Sequence, residues 1–404
     1  MAVSRRDLLR LGGVVPLVGL ASGVTGCDRG GGSAPPLSPY GSPRTVGPPA
    51  GSPAGTGRSV LDFGALGDGR TDDTAALQRA FAAARPADTL SLPAGRSFLH
   101  SDVLVLAVPR VRLTGGGTLV ATDEERSALQ VSADGVVVQG IGLSVPHTTR
   151  RWQADGQHRL LVGAHDGVVV RDVDVRGAAA TGVFLSGSRR FLLERVSVAD
   201  SRADGIHITA GSTDGEVRGP MVTRTGDDGV AVVSYDKDQA TCRSIRITAP
   251  VVRGTTGGRG ISVVGGEDIT YVDVDVQGSR AAAVYIACEG SPYDTRPTRR
   301  VQVLGGTIRD ANTDTGIDHG AVLVYSGRDG GDVADVLVTG LQISGTRAGA
   351  SRHVGVLAEH ACSGIRLEDL HLTGGPAPFS TTRRGALTSL AAWTLDGAPY
   401  PVTG

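Results

Sequence analysis

Aromatic residues make up only 4% of this 404-residue chain, and its formal net charge is −1. Nucleic-acid binding draws its affinity from a basic face that releases counterions, and a balanced charge supplies none. Single-stranded bases also need aromatic stacking platforms, and so few rings cannot tile an array of them. Cysteine is scarce too, at Cys27, Cys242, Cys288 and Cys362. Beyond Cys27 the remainder is odd in number and widely spaced, which excludes a disulfide framework and a CxxC metal pair. Each of those three lies beside an apolar run and is expected to act as a small buried hydrophobe. Helix-favouring runs are rare. The chain is instead rich in glycine, with 60 residues, and in Val, Ile and Thr through its middle, a composition that reads all-β.

The first apolar run, Leu11 to Val24, is short and glycine-rich, too weak for a stable transmembrane helix. Residues 1–27 are therefore expected to be a targeting segment. Ser4-Arg5-Arg6-Asp7-Leu8-Leu9 resembles the twin-arginine export motif. Val24-Thr25-Gly26-Cys27 resembles a bacterial lipobox, which implies lipidation of Cys27 as the mature N-terminus. An ordinary signal peptide with a chance cysteine is the alternative. Residues 28–57 are dense in Gly, Ser and Pro and are expected to form a flexible tether. The implied location is extracytoplasmic, either secreted or held at the cell membrane through the lipid alone.

The folded domain is expected over residues 58–404. It opens on Asp62-Phe63-Gly64-Ala65 and Gly67-Asp68-Gly69-Arg70-Thr71-Asp72-Asp73-Thr74. From there Ala76, Leu77, Ala80, Phe81 and Ala84 recur on one helical face, predicting a helix near 72–85 capped by Asp72 or Asp73. This opening resembles the N-terminal segment of pectate-lyase-like and polygalacturonase-like proteins. The resemblance implies a helix that covers the open end of a solenoid, so the acids here are read as structural.

A repeat then takes over. Gly182-Val-Phe-Leu185, Gly205-Ile-His-Ile208, Gly229-Val-Ala-Val232, Gly260-Ile-Ser-Val263 and Ala283-Val-Tyr-Ile286 are versions of one strand, starting 23, 24, 31 and 23 residues apart. A second unit alternates with it, as in Val168-Val-Val-Arg-Asp-Val-Asp-Val175 and Phe191-Leu-Leu-Glu-Arg-Val-Ser-Val198. A period in the low twenties holds about three short strands and their turns. The expected architecture is a right-handed parallel β-helix, with repeat-equivalent residues stacked in columns about 4.8 Å apart. Antiparallel propeller blades would need about 40 residues and hairpins.

Aligning the repeat turns it into a site. The residue before each leading small residue gives the column Thr181, Asp204, Asp228, Arg259, Ala282. The outward position two residues after it gives Phe184, His207, Ala231, Ser262, Tyr285. Stacking should bring Asp204, Asp227, Asp228, His207, Arg259 and Tyr285 onto one patch, in a solvent-open groove. Adjacent carboxylates repel unless they share a proton or meet a cation, so their gathering suggests chemistry.

Ala203-Asp204-Gly205 followed by Gly226-Asp227-Asp228-Gly229-Val230-Ala231 resembles the paired aspartate motifs of glycoside hydrolase family 28, the polygalacturonases. The resemblance implies inverting hydrolysis, with Asp227 as general acid and Asp204 and Asp228 as bases that activate a water. The chain departs from that family further on. It has Arg259-Gly260 where the family has His-Gly, and Tyr285-Ile286-Ala287 where the family grips a carboxylate with Arg-Ile-Lys. A poly- or oligosaccharide other than plain polygalacturonate is therefore expected, bound with help from His207, Arg259, Tyr285 and Trp152. Trp152 lies in an insertion and either stacks on a sugar ring or covers the side of the solenoid. No metal or other cofactor is implied. Two alternatives stand beside the hydrolase: a lyase or epimerase with Arg259 as base, and a non-catalytic carbohydrate-binding solenoid.

Overall fold

The computed structural model describes residues 57–401, and they wind into a parallel β-helix. Alternation drives the winding. In each coil Val, Ile and Leu at every second position enter a single cluster of buried residues that runs from Val60 to Trp393. A front sheet of 11 strands stacks the repeated strand, from Leu104–Leu106 to Phe379–Thr381. Its register follows the repeat: Val183, Ile206, Val230, Ile261 and Val284 are successive partners. A 24-stranded sheet forms the rest of the wall. A typical coil contributes Leu192–Glu194 and Ser197–Ser201 to it before crossing to Ile206–Thr209 at the front. The only antiparallel strand pair among the described residues joins Thr394–Leu395 to Ala398–Pro399.

The glycine that leads several of the front strands has a steric cause. A Cβ at Gly205 would lie 2.3 Å from Val222 Cγ1 and 2.7 Å from the Gly229 carbonyl oxygen. A Cβ at Gly229 would lie 2.5 Å from the Gly260 oxygen and 2.6 Å from Val252 Cγ1. The corner leading into the front sheet thus packs backbone directly on the core and on the next coil. The second repeating unit turns at its fifth residue, and there Asp172, Arg195, Asp273 and Asp369 all adopt φ between 50° and 53°.

The helix predicted near 72–85 spans Thr74–Ala82, with Ala76, Leu77, Ala80 and Phe81 buried. It is shorter than predicted at both ends. Asp73 turns its carboxylate to the Leu66 and Gly67 N–H groups, at 2.7 and 2.9 Å, leaving Asp72 to accept from Thr74 N–H at 2.9 Å. At the other end Pro86 keeps Arg85 out of helical geometry. Cys242, Cys288 and Cys362 are free and buried, as expected. No helix of the described residues is long and apolar enough to cross a membrane. The expected targeting segment, including Cys27, and the tether up to residue 56 lie outside the described residues.

Candidate active site

The acids sit on corners, and a buried hydroxyl builds each corner. Ser201 Oγ donates to the Ala203 carbonyl at 2.9 Å, and Thr225 Oγ1 donates to the Asp227 carbonyl at 2.7 Å. Thr255 and Ser279 repeat the bond on the next two coils, to Gly258 and Ala281. Each bond ties the corner's carbonyl to a side chain of the same coil, beside any backbone N–H the next coil supplies. The corners also interlock, with Asp227 N–H donating to the Ala203 oxygen at 3.1 Å and Gly205 N–H to the Asp228 oxygen at 2.9 Å.

This stacking brings Asp204, Asp227 and Asp228 together, with one carboxylate oxygen from each lying within 4.8 Å of the others. Such spacing would also suit a divalent cation, yet the protein's own donors already answer these oxygens. Asp204 Oδ1 accepts Asp228 N–H at 2.9 Å, and its Oδ2 meets His207 Nδ1. Asp228 Oδ1 accepts Arg259 N–H at 2.7 Å, and its Oδ2 accepts the Ser262 hydroxyl at 2.6 Å. Asp227 Oδ2 receives Arg151 Nη1 at 2.6 Å. The groove expected to be open is covered here: the carboxylate side chains of Asp204, Asp227 and Asp228 are 5%, 4% and 0% exposed. Arg151 closes one side. Gly257 and Gly258 close another, because an extra residue in their corner bulges the backbone over the acids. A Cβ at Gly258 would lie 2.3 Å from Asp228 Oδ1 and 2.4 Å from Asp227 Oδ1.

Two ring ladders flank this centre on the outer face of the front sheet. On one side His158 stacks on Phe184 at 4.0 Å, and Phe184 on His207 at 5.1 Å, nearly parallel. Burial pushes His158 down to about 3, so it is neutral at physiological pH. On the other side Tyr285 is sandwiched between the Arg259 guanidinium, 4.1 Å from the ring centroid, and His319 at 5.5 Å. Glu289 Oε1 gathers both, accepting Arg259 Nη2 at 2.8 Å and the Tyr285 hydroxyl at 3.0 Å. Ala231 and Ser262, both small, occupy the two coils between the ladders.

The structure thus unites Asp204, Asp227, Asp228, His207, Arg259 and Tyr285, as the columns predicted. Tyr285 reaches the centre with both ring faces covered. Trp152 is half-buried and carries Arg150 over its ring at 3.6 Å, while its neighbour Arg151 is the insertion residue that touches an acid. Arg151 and Glu289 were not legible as site residues, because both come from insertions outside the repeat; His158 closes the first insertion and stands one coil before Thr181 in the same column. The signal for Ser262 was its place in the outward column.

The rhamnogalacturonase A/epimerase, pectate lyase-like family profile matches residues 57–284, more than half of the chain. The chain belongs to that family. No curated protein matches it in sequence. Among solved structures, members of this fold include the catalytic unit of a thermostable GH87 α-1,3-glucanase from Streptomyces thermodiastaticus, 19% identical, with a TM-score of 0.64 over 86% of this chain and 70% of that one. An exopolygalacturonase from Thermotoga maritima is 16% identical, with a TM-score of 0.57 over 85% of this chain and 92% of that one. The A-module of a mannuronan C-5 epimerase from Azotobacter vinelandii is 18% identical, with a TM-score of 0.54 over 84% of this chain and 100% of that one. At these identities the likeness establishes the fold of this rhamnogalacturonase A/epimerase family member, and its chemistry has to be argued from the site.

Proposed function

We propose that the protein is an exported glycoside hydrolase that cleaves a poly- or oligosaccharide by inverting acid–base catalysis. The observation that carries this reading is the convergence of Asp204, Asp227 and Asp228 from adjacent coils within 4.8 Å. Turn aspartates scattered by chance would not stack. Asp227 is the general acid, and it takes up that role once substrate displaces Arg151, whose side chain is 44% exposed, from its carboxylate. Asp204 and Asp228 hold the opposite side of the site. The solved neighbours named as a glucanase and an exopolygalacturonase are consistent with glycan hydrolysis on this scaffold.

The substrate in this reading is a neutral or differently charged glycan rather than plain polygalacturonate. Both cations at the acids are engaged by protein carboxylates, Arg151 by Asp227 and Arg259 by Glu289. Arg259, 6% exposed, presents no open guanidinium fork to a sugar carboxylate. The same contacts argue against a lyase or epimerase with Arg259 as base, since a guanidinium buried beside two carboxylates is held charged. Residues 1–27 direct export through the twin-arginine route, and Cys27 carries the lipid that tethers the enzyme outside the cytoplasm. Cys27→Ala should release the protein from the membrane or block its processing, and unchanged attachment would remove the anchor from the reading.

Incubating the purified protein with a panel of plant and microbial glycans tests the chemistry. Asp227→Asn should lower turnover by several orders of magnitude with an unchanged melting temperature. Nuclear magnetic resonance of the first-formed sugar anomer reads the stereochemistry. The complete bonding of the Asp228 carboxylate also fits a non-catalytic solenoid with structural acids. In that case the Asp→Asn variants of 204, 227 and 228 melt earlier and no glycan is cut.

A further inference from the structure

Under this hydrolase reading, the family resemblance makes Asp204 and Asp228 the bases that deprotonate water. Their surroundings suit another task. Each oxygen of Asp204 and of Asp228 already accepts from a backbone N–H, a hydroxyl or an imidazole nitrogen. The imidazole of His207 is placed differently. Its Nδ1 meets Asp204 Oδ2, while among the described residues its Nε2 has no hydrogen-bond partner. A carboxylate that accepts Nδ1–H fixes that tautomer and leaves Nε2 with its lone pair, the arrangement a proton acceptor needs.

The ring is also held in place. Phe184 packs against one face at 5.1 Å with an interplanar angle of 6°, and His158 backs Phe184 at 4.0 Å. On the next coil the equivalent residue is Ala231, which leaves the far side of the His207 ring without a bulky neighbour in its column. Asp204 lies beside it, Asp227 and Asp228 lie on the following coil, and Arg151 of the insertion meets Asp227. His158, the other titratable ring of this ladder, stays neutral because burial pushes it down to about 3.

We propose that His207, oriented by Asp204, is the base that takes the proton from the attacking water. The water oxygen bonds to the anomeric carbon as its proton passes to His207 Nε2. The anomeric carbon–oxygen bond breaks, and the departing oxygen takes the proton of the Asp227 carboxyl. The products are the two sugars, an imidazolium paired with the Asp204 carboxylate, and the Asp227 carboxylate. Proton exchange with solvent then resets both groups. Asp204 is a positioning residue in this scheme.

The test uses the full-length protein and the glycan that the wild type cuts. His207→Ala should lose about 10²- to 10³-fold in kcat, and added imidazole should restore part of the rate, which a packing residue would not allow. Nitrogen-15 spectra of the histidines should show His207 as the Nδ1–H tautomer in the wild type, and Asp204→Asn should disturb it. A His207→Ala enzyme at wild-type rate overturns the assignment, as does a loss without imidazole rescue or an Nε2–H tautomer in the wild type. These results leave the hydrolase reading standing if the wild type still cleaves. A wild type that cuts no glycosidic bond removes that reading, and the role of His207 with it.

Discussion

Glu289→Ala removes the carboxylate that holds the far end of the site together. Its Oε1 accepts both Arg259 Nη2 at 2.8 Å and the Tyr285 hydroxyl at 3.0 Å, and the Arg259 and Glu289 side chains are 6% and 9% exposed. Losing one member of a buried ion pair costs about 3–5 kcal/mol, because the other charge is left without its partner. Asp228 Oδ1, 3.7 Å from Arg259 Nη1, partly compensates, which places the expected cost near the bottom of that range, at about 3 kcal/mol. The structure describes residues 57–401, and unfolding entropy of about 2.1 cal/mol/K per residue gives roughly 0.7 kcal/mol per degree. The melting temperature should therefore fall by about 4 °C. Scanning calorimetry at several scan rates measures it. Glu289→Gln, which keeps an acceptor for Arg259 and the shape of the side chain, should lose less than half as much. Replacing the pair together, as Arg259→Met with Glu289→Leu, should recover part of the loss, since the guanidinium is then no longer stranded. A Glu289→Ala protein melting within about 1 °C of wild type would refute the claim that this pair is buried and coupled.

Acid should destabilise the fold through its buried histidines. Burial pushes His100, His158 and His319 down to about 3 from the ordinary 6.5. In the unfolded chain they protonate below about 6.5, while the native chain keeps them neutral, so stability is present above that pH and is lost progressively down to about 3. The loss should approach 1.4 kcal/mol per histidine per pH unit, and His100→Gln should flatten it in urea titrations run from pH 7 to pH 4. Gly258→Ala drives a methyl group between Asp227 and Asp228 and should cut glycan turnover at least tenfold. Its melting temperature should move less than that of Glu289→Ala, and an unaltered rate would show that the acids tolerate displacement.

The sequence by itself determined the winding. Apolar alternation and a period in the low twenties fix which residues face inward, and parallel stacking then fixes which residues share a column. Asp204, Asp228 and Arg259 therefore followed from counting, as did the outward line of His207, Ser262 and Tyr285. The corner glycines were equally legible, since no side chain fits between the backbone, the core valines and the next coil. Tertiary structure decided what the columns meet. Arg151 and Glu289 come from insertions whose length breaks the period, so no alignment of the repeat could place their charges on Asp227 and Arg259. The covering of the carboxylates has the same origin. A repeat predicts the face on which acids gather, whereas their exposure depends on how loops of unequal length fold back over that face. The commitment of each oxygen to a particular donor, which singles out His207 Nε2, depends on angles and distances of a few ångströms that no linear spacing records.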